Sequence, residues 1–287
     1  MREWVSVNGR LLPADQATVS VFDSGFMQGV GLFETMRSYQ GVPFRLDQHL
    51  ERLIRSAETL GWTIAPAYEA LRASVLQSLG ATELGDARVR LTVTAGSLRA
   101  IERQQPELTV VAGASSGMTY PRQCYREGVS VCVSAQRQCR SDPTLGHKTT
   151  SYFSRLQALR RAHAVSAFEA LWFTEDGFLA EGSISNVFVV RDERLITPAV
   201  DTPLLPGITR AAVIELAAAA SVELSEASVS HEELLAADEI FLTNSMMEIV
   251  PVVRVGREAI GNERPGEITR RMYEAYGDLV ERECGSA

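Results

Sequence analysis

The stretch of sequence that decides the fold is Glu181-Gly182-Ser183-Ile184-Ser185-Asn186-Val187-Phe188. It places a carboxylate and an amide at the edge of a run of apolar residues that is typical of a buried strand. An acidic residue before a strand is most often exposed to solvent. Beside a bound heterocycle, however, a carboxylate is the group that keeps a pyridine nitrogen protonated. Taken alone, the stretch leaves both interpretations of Glu181 open.

Lys148 is the only lysine of the chain, since arginine supplies the other 27 of its 28 basic residues. A general preference for arginine would leave Lys148 as an ordinary surface residue. Guanidinium replaces ammonium in ion pairs, but it stays protonated and cannot serve as an imine-forming amine. A Schiff base needs a primary amine whose pKa its surroundings can lower. Two interpretations of Lys148 are therefore open, an imine-forming nucleophile and an ordinary surface residue.

A phosphate site is a candidate in the stretch Leu204-Leu205-Pro206-Gly207-Ile208-Thr209-Arg210. Pro-Gly before a helical run leaves the amides of Gly207 and the next two residues free at a helix N-terminus, which favours phosphate binding. The alternative is an ordinary N-cap by Thr209. Polar residues at Thr243-Asn244-Ser245, directly after a predicted strand, form a second candidate. Arg52, on a predicted helix, is a candidate charged partner, although an arginine there is usually just solvated.

Spacing argues against three other kinds of site. A nucleotide P-loop needs glycine directly before its lysine, where this chain has His147. The run Gly29-Val30-Gly31 has Glu34 where a dinucleotide fingerprint needs a third glycine. The cysteines show neither CxxC pairs nor Cys/His spacing, so we expect no metal site and no disulfides. They are Cys124, Cys132, Cys139 and Cys284.

The charge and hydropathy of the chain argue against several classes of partner. With 28 Lys+Arg against 36 Asp+Glu, the formal net charge is −8, which disfavours binding to nucleic acid and to anionic lipid. The apolar run from Ala211 to Ala220 is short and broken by Glu215, so no membrane span is expected. The N-terminus lacks the apolar segment of a secretory signal. We therefore expect a soluble, cytoplasmic protein.

Apolar periodicity divides the chain into two α/β parts. We predict an N-terminal domain at 1–112, a linker of mostly small residues at 113–122, and a C-terminal domain at 123–287. Asn8-Gly9 predicts a hairpin turn. Helices are predicted at 46–60, 66–79, 150–165, from 207 onward and at 265–282. Strands are predicted at 33–39, 87–95, 108–112, 129–135, 169–174, 185–191, 222–229 and 239–242.

A lone amine, a phosphate pocket and a carboxylate are together the requirements of pyridoxal phosphate. On these residues the chain resembles the class IV aminotransferase family, the fold type IV pyridoxal-phosphate enzymes. The resemblance covers nearly the whole chain. It implies an α/β (α+β type) fold with a smaller N-terminal domain, a larger C-terminal domain carrying the cofactor lysine, and a homodimer whose partner subunit completes each site. The positions that match the family signature are Glu181, Ser183, Asn186, Val187, Phe188, Leu195, Thr197, Gly207, Ile208 and Arg210.

The resemblance also implies a role for each candidate residue. Lys148 would bind the cofactor as a Schiff base and shuttle a proton, and Glu181 would pair with the pyridine nitrogen. Arg52, Ile208, Thr209 and Ser245 would hold the phosphate, with Gly207, Asn186 and Tyr152 also at the cofactor. The pocket for a small amine substrate would be lined by Phe33, Thr35, Arg37, Arg99 and Met246.

Within the family, the chain is most similar to Bacillus-type 4-amino-4-deoxychorismate lyases, for example in Phe22-Asp23-Ser24-Gly25-Phe26 and Thr94-Ala95-Gly96. D-Amino-acid aminotransferases have arginine at the position of Ala95, and branched-chain enzymes have glycine at that of Thr35. The resemblance thus implies a lyase of folate biosynthesis that gives 4-aminobenzoate and pyruvate. One alternative is an aminotransferase of D-amino or branched-chain amino acids with a 2-oxo acid acceptor. A more remote one is a non-enzymatic protein that binds a phosphorylated metabolite.

Overall fold

The computed structural model describes residues 4–62, 67–97, 107–117 and 120–285. The chain forms two compact units, each built from more than one segment. Unit 1 consists of Met1–Met118, His147–Ser151 and Val280–Ala287, and unit 2 of Thr119–Gly146 and Tyr152–Leu279. Both units combine helices with strands, which confirms the predicted fold class.

Unit 1 contains a six-stranded sheet within its described residues. Its elements are β1 (Trp4–Val7), β2 (Arg10–Pro13), α1 (Ser24–Gln28), β3 (Gly31–Tyr39), β4 (Val42–Pro43), α2 (Leu46–Thr59), α3 (Tyr68–Gly80), β5 (Ala87–Thr94) and β6 (Thr109–Ser116). The strand order is β2-β1-β6-β5-β3-β4, and neighbouring strands run antiparallel.

The core of unit 1 lies between its sheet and the helices α2 and α3. Because side chains alternate along a strand, Leu32 of β3 enters this core and packs with Leu50 of α2, while Phe33 lies on the opposite face. At the other end of the sheet, Asn8 and Gly9 have φ angles of 49° and 78°. Such left-handed conformations suit a two-residue hairpin, so the predicted turn between β1 and β2 is confirmed.

Unit 2 is built on a mixed sheet, with nine strands in the described part of the chain. Its elements are α4 (Arg122–Glu127), β7 (Val129–Gln138), α5 (Phe153–Ala164), β8 (Glu169–Thr174), β9 (Leu179–Gly182), β10 (Asn186–Arg191), β11 (Arg194–Thr197), α6 (Ile208–Ala219), β12 (Leu224–Glu226), α7 (His231–Leu235), β13 (Glu239–Asn244), β14 (Glu248–Val255), β15 (Glu258–Ala259) and α8 (Glu267–Cys284). The residues of α8 from Val280 onward belong to unit 1. The order is β12-β11-β10-β13-β14-β7-β8-β9, with β15 paired to β14. The rings of Phe188 and Phe241 stack at 4.9 Å across β10 and β13.

Most predicted helices and strands are confirmed to within a few residues, but β6 is longer than predicted and several strands, among them β9 and β11, were not predicted. β6 continues through residues 113–116, which the sequence assigned to the linker, because they pair in full register with β5. Pairing with a neighbouring strand overrides the low strand propensity of small residues. The strand β14 was not predicted, and Pro251 inside it argues against a central strand on sequence grounds.

The segment that holds Lys148 belongs to unit 1. The N–H of Phe33 donates to the carbonyl of Lys148 at 2.9 Å, and the N–H of Thr150 donates to the carbonyl of Gly31 at 2.8 Å. The compact units therefore differ from the predicted domains, which placed this lysine in the C-terminal part. No local pattern signals a pairing between segments so distant in the chain. The domain boundaries themselves stay a prediction.

Among the described residues, we find no helix with the length and apolar character of a membrane span. In the same part of the chain, no three His, Cys, Asp or Glu side chains are grouped so that they could hold a metal ion. The four cysteines are free thiols.

Candidate active site

The side chain of Lys148 lies against the ring of Phe33. Its Nζ is 4.8 Å from the ring centroid, and the backbone of Lys148 is fixed by its pairing with β3. The guanidinium carbon of Arg90 lies 3.7 Å from the centroid of the same ring, a typical cation–π distance. The amine therefore lies on the face of the unit 1 sheet that carries Phe33, and Arg90 contacts the same ring.

Two arginines of β5 share this face, and neither was among the predicted site residues. The register pairs Arg90 with Thr35 and Arg88 with Arg37, so their side chains emerge on the same side. Arg37, a predicted pocket residue, donates to Asp86 through Nε at 2.9 Å and Nη2 at 2.7 Å. The alternation Arg88-Val89-Arg90 inside a predicted strand is the signal that could have identified both arginines.

On the helix side of the same sheet, Arg52 belongs to a buried charged cluster. Its Nε and Nη2 donate to the two carboxylate oxygens of Glu34 at 2.8 and 2.5 Å, and Nδ1 of His49 lies 2.7 Å from Glu34 Oε2. Burial acts to raise the pKa of Glu34, but Arg52 and His49 outweigh it and hold the pKa at about 2. Arg52, the predicted charged partner of the phosphate, is thus part of a buried ion pair with Glu34.

His49 completes this cluster from one turn before Arg52. Burial, opposed by Glu34 and assisted by the charges of Arg52 and Lys148, lowers the pKa of His49 below its usual value. Within the described residues, Nε2 of His49 is buried and has no hydrogen-bond partner. Since Nδ1 faces a carboxylate, Nε2 is the ring atom left to meet a ligand.

In unit 2, Glu181 is buried near the end of β9 and accepts three hydrogen bonds. Arg155 Nη2 donates to its Oε1 at 2.6 Å, Gln138 Nε2 to the same oxygen at 3.3 Å, and the amide of Leu205 to Oε2 at 3.0 Å. Burial alone would lower the pKa of Arg155, but Glu181 outweighs it and raises that pKa. No sequence pattern singled out Arg155, because an arginine on a helix has many possible partners.

Two other predicted cofactor residues hold the backbone around Glu181. The hydroxyl of Tyr152 donates to the carbonyl of Ser183 at 2.8 Å. The amide of Asn186 donates through Nδ2 to the carbonyl of Leu205 at 2.8 Å. Both side chains therefore fix the loops on either side of this carboxylate.

The N-terminus of α6 has the features of a phosphate site. Its N-cap is Gly207, with no side-chain cap, so the alternative of an ordinary N-cap by Thr209 is wrong. A Cβ atom at position 207 would lie 2.0 Å from Oδ1 of Asn186, so only glycine fits there. Asn186 pairs in register with Thr243, whose buried Oγ1 lacks a hydrogen-bond partner among the described residues. Uncapped amides and an unpartnered hydroxyl fit the requirements of a phosphate group.

The predicted site residues are divided between the two units. Lys148 and Arg52 belong to unit 1, while the helix N-terminus and Glu181 belong to unit 2. Ser245 is half-buried, and Met246 is buried with its amide bound by Oδ1 of Asn244. Arg99 lies outside the described residues.

The family model for amino-transferase class IV matches residues 31–255. The chain belongs to this family. It is 34% identical over 278 residues to a putative branched-chain-amino-acid aminotransferase of Methanocaldococcus jannaschii, covering 96% of each chain. It is also 34% identical over 278 residues to an aminodeoxychorismate lyase of Bacillus subtilis, covering 95% of this chain and 93% of that protein. D-Alanine aminotransferases are further relatives.

A solved structure leads to the same family. The 4-amino-4-deoxychorismate lyase of Pseudomonas aeruginosa matches with a TM-score of 0.85 and 30% identity, covering 98% of this chain and 100% of that one. Class IV aminotransferases use pyridoxal 5′-phosphate, so the predicted cofactor and enzyme class are confirmed. The relatives include both lyases and aminotransferases. What is confirmed is therefore the enzyme class, a pyridoxal-phosphate-dependent aminotransferase or lyase.

Proposed function

We propose that the chain is a 4-amino-4-deoxychorismate lyase that gives 4-aminobenzoate and pyruvate. The observation that carries the proposal is the Phe33 face of the unit 1 sheet, where Arg88 and Arg90 lie on the same side as the amine of Lys148. Each product carries one carboxylate, so the substrate carries two. Two arginines at alternate strand positions, about 7 Å apart along β5, suit a dicarboxylate.

Two pocket positions support the lyase over its alternatives. Ala95 stands where D-amino-acid aminotransferases have arginine, and Thr35 stands where branched-chain enzymes have glycine. Thr35 pairs in register with Arg90, so its side chain faces the same side as the two arginines. An aminotransferase of D-amino or branched-chain amino acids remains the second candidate, favoured by the identity to enzymes of those names.

Two side chains of the chain have chemical roles in the proposed reaction, the amine of Lys148 and the carboxylate of Glu181. When bound, the cofactor supplies a protonated ring that accepts electrons from the substrate carbon bearing nitrogen. Glu181, held by Arg155 and Leu205, would keep that ring nitrogen protonated. Lys148 would hold the cofactor through its Nζ. Once free, the same Nζ would take the proton from the substrate carbon.

In the lyase, the electrons of that C–H bond make the substrate ring aromatic and break its bond to the pyruvyl oxygen. The leaving group takes the bonding pair, and the proton held by Lys148 passes to it as pyruvate forms. In an aminotransferase, the same Nζ would carry the proton, the amino group would stay with the cofactor, and water would release the substrate carbon skeleton as a 2-oxo acid.

The remaining candidate residues have binding roles in the proposal. The phosphate would be held by the amides at the start of α6, by a hydroxyl of the turn after β13 and by a guanidinium of α2. These residues are Gly207, Ile208, Thr209, Ser245 and Arg52, with Asn186 and Tyr152 fixing the loops beside Glu181. Phe33, Thr35, Arg37, Arg99 and Met246 would line the substrate pocket.

A substrate assay tests the reaction. Purified enzyme is given 4-amino-4-deoxychorismate without any 2-oxo acid, and separately D-alanine or L-leucine with 2-oxoglutarate. We expect 4-aminobenzoate and pyruvate in equal amounts from the first mixture. Turnover of the second mixture alone would favour the aminotransferase. A protein that turns over neither mixture and stays colourless after cofactor addition would favour a non-enzymatic phosphometabolite-binding protein.

Lys148→Arg tests the amine. The variant keeps the positive charge but cannot form an imine. We therefore expect it to lose turnover by at least about 10⁴-fold. We also expect that borohydride treatment will attach no cofactor covalently to the variant. Arg160→Lys on the exposed side of α5 adds a lysine elsewhere and is the matched control, expected to behave like the parent. Normal turnover by Lys148→Arg would contradict the assignment.

The wider setting is part of the same proposal. We propose a homodimer in the cytoplasm that serves folate biosynthesis. Support for self-association comes from apolar side chains in and beside α1, where Val21, Phe22 and Phe26 are 64%, 68% and 74% exposed. Phe26→Asp is expected to shift the mass measured by light scattering from dimer to monomer, and an unchanged mass would contradict this surface as the interface.

A further inference from the structure

Glu169, at the start of β8, is a fully buried carboxylate to which neither the signature nor the reaction gives a role. Its Oε1 accepts the amides of Ala170 at 2.9 Å and Ser183 at 3.1 Å. Its Oε2 accepts the amide of Ile184 at 3.2 Å and the hydroxyl of Ser185 at 3.1 Å. Three consecutive residues of the loop 183–185, between β9 and β10, thus donate to one side chain.

That loop carries contacts of the proposed cofactor residues. The carbonyl of Ser183 accepts the hydroxyl of Tyr152 at 2.8 Å, and its Oγ accepts Nε1 of Trp172 at 2.9 Å. The carbonyl of Gly182, one residue earlier, accepts Nη1 of Arg155 at 3.0 Å. Arg155 is also the ion-pair partner of Glu181.

The loop also reaches the turn after β13. The carbonyl of Ile184 accepts Nδ2 of Asn244 at 3.0 Å. Oδ1 of the same asparagine accepts the amides of Met246 and Met247, both at 2.8 Å. The turn that holds Ser245 and Met246 is therefore tied to the loop that Glu169 holds.

We propose that Glu169 is a positioning residue: its carboxylate fixes the loop 183–185 and thereby sets Tyr152, Arg155 and the turn 244–247 for cofactor binding. It acts through hydrogen bonds to the loop and touches none of the reacting atoms. A carboxylate suits this task because it accepts on both oxygens, while glutamine would present its NH₂ to amide donors. The inference requires the family's cofactor but holds for a lyase and an aminotransferase alike.

The charge state of Glu169 gives the proposal a spectroscopic readout. Burial, only partly opposed by the four donors, raises the pKa of Glu169 to about 7. The titratable groups that face it are Arg155 from α5, which Glu181 already binds, and the thiol of Cys132 from β7, whose pKa burial raises. Protonation near neutral pH would therefore loosen the loop, and Trp172 would report it.

The experiment compares holoenzyme of the parent and of Glu169→Gln, both in a Trp4→Phe, Trp62→Phe background that leaves Trp172 as the reporter. In the parent we expect Trp172 emission to titrate near pH 7, and in the variant to show no transition there. We expect the variant to lose cofactor about tenfold faster on dialysis, with kcat reduced about tenfold and KM nearly unchanged. Parent-like emission, cofactor release and kcat in a folded variant would overturn the proposal.

Ser185→Ala keeps the inference testable if Glu169→Gln does not fold. It removes one donor from the ionised carboxylate, so the Trp172 transition should move to higher pH. An unmoved transition would overturn the role of the loop. Glu175→Gln, an exposed carboxylate on the β8–β9 hairpin, is the matched control and should match the parent in every readout. Because Trp172 emission and cofactor release are measured without substrate, failure here is distinct from failure of the lyase assignment.

Discussion

Two buried carboxylates, one in each unit, have opposite electrostatic surroundings. Glu34 in unit 1 is 1% exposed and Glu169 in unit 2 is 0% exposed. Glu34 faces the guanidinium of Arg52 and the ring of His49, and its pKa is held at about 2. Glu169 faces amides and a hydroxyl, and its pKa is raised to about 7. The two carboxylates are almost equally buried, so the difference in pKa comes from their partners. Charged partners keep Glu34 ionised, while neutral donors do not offset the effect of burial on Glu169.

The difference gives the two groups opposite links between pH and stability. The pKa of Glu34 is lowered on folding, so its contribution is present above pH 4.5 and is lost as pH falls toward 2. The pKa of Glu169 is raised, so its contribution is present below pH 4.5 and is lost as pH rises through about 7. Unit 1 thus holds a fixed negative charge at Glu34, while unit 2 holds a group, Glu169, that titrates near neutral pH.

Arg52→Met would break the comparison most strongly. It leaves the buried carboxylate of Glu34 without its main counter-charge, which typically costs about 3–5 kcal/mol. We expect the free energy of unfolding of the cofactor-free protein at pH 7 to fall by that amount, measured by urea denaturation. Glu34→Gln together with Arg52→Met should recover part of the loss, since no unpaired charge then remains. A loss below about 1 kcal/mol for Arg52→Met alone would show that charge does not decide the state of Glu34.

Glu169→Gln should change the slope of stability against pH. The pKa difference between 4.5 and about 7 corresponds to about 3 kcal/mol of stability lost by the parent over that range. Glutamine does not titrate, so the variant should gain stability relative to the parent as pH rises, measured by urea denaturation across the range. Glu34→Gln should show its divergence only at lower pH. Parallel curves for parent and Glu169→Gln would contradict the raised pKa.

Sequence reasoning proposes candidate residues whose side-chain type suggests a reaction, and it does not identify residues whose role depends on which side chains lie opposite them. Lys148 and Glu181 stand out because a lone amine and a signature carboxylate are recognisable along the chain. The helix α6 and its glycine N-cap followed from Pro-Gly before an apolar run. Glu34 and Glu169 gave no such signal, because periodicity predicts which face a residue occupies but not which side chain lies opposite it.

Gly182→Ala should show how tightly the side chain of Glu169 is packed, because it adds a methyl group beside Glu169 without changing the ionisable group. A Cβ atom at position 182 would lie 2.2 Å from Oγ of Ser185 and 3.1 Å from Cδ of Glu169. We expect a loss of about 2 kcal/mol of unfolding free energy from this overpacking, measured by thermal or urea denaturation. Gly277→Ala in α8, with no atom within 4 Å of the added group, is the control and should stabilise by up to about 1 kcal/mol. Equal effects of the two substitutions would show that the carboxylate pocket tolerates a methyl group.

His49→Gln should give the smallest effect, because it keeps a hydrogen-bond donor for Glu34 and leaves Arg52 in place. We expect a loss of about 1 kcal/mol and a rise in the pKa of Glu34 that still leaves it below its usual value, seen as a small upward shift of the acid-unfolding midpoint. His163→Gln on the exposed side of α5 is the control, expected within about 0.5 kcal/mol of the parent. If His49→Gln destabilised the protein more than Arg52→Met, the hydrogen bond would outrank the ion pair. Glu169 also accepts hydrogen bonds, and yet its pKa is raised. The difference in pKa between Glu34 and Glu169 would then have to come from the geometry of their hydrogen-bond donors.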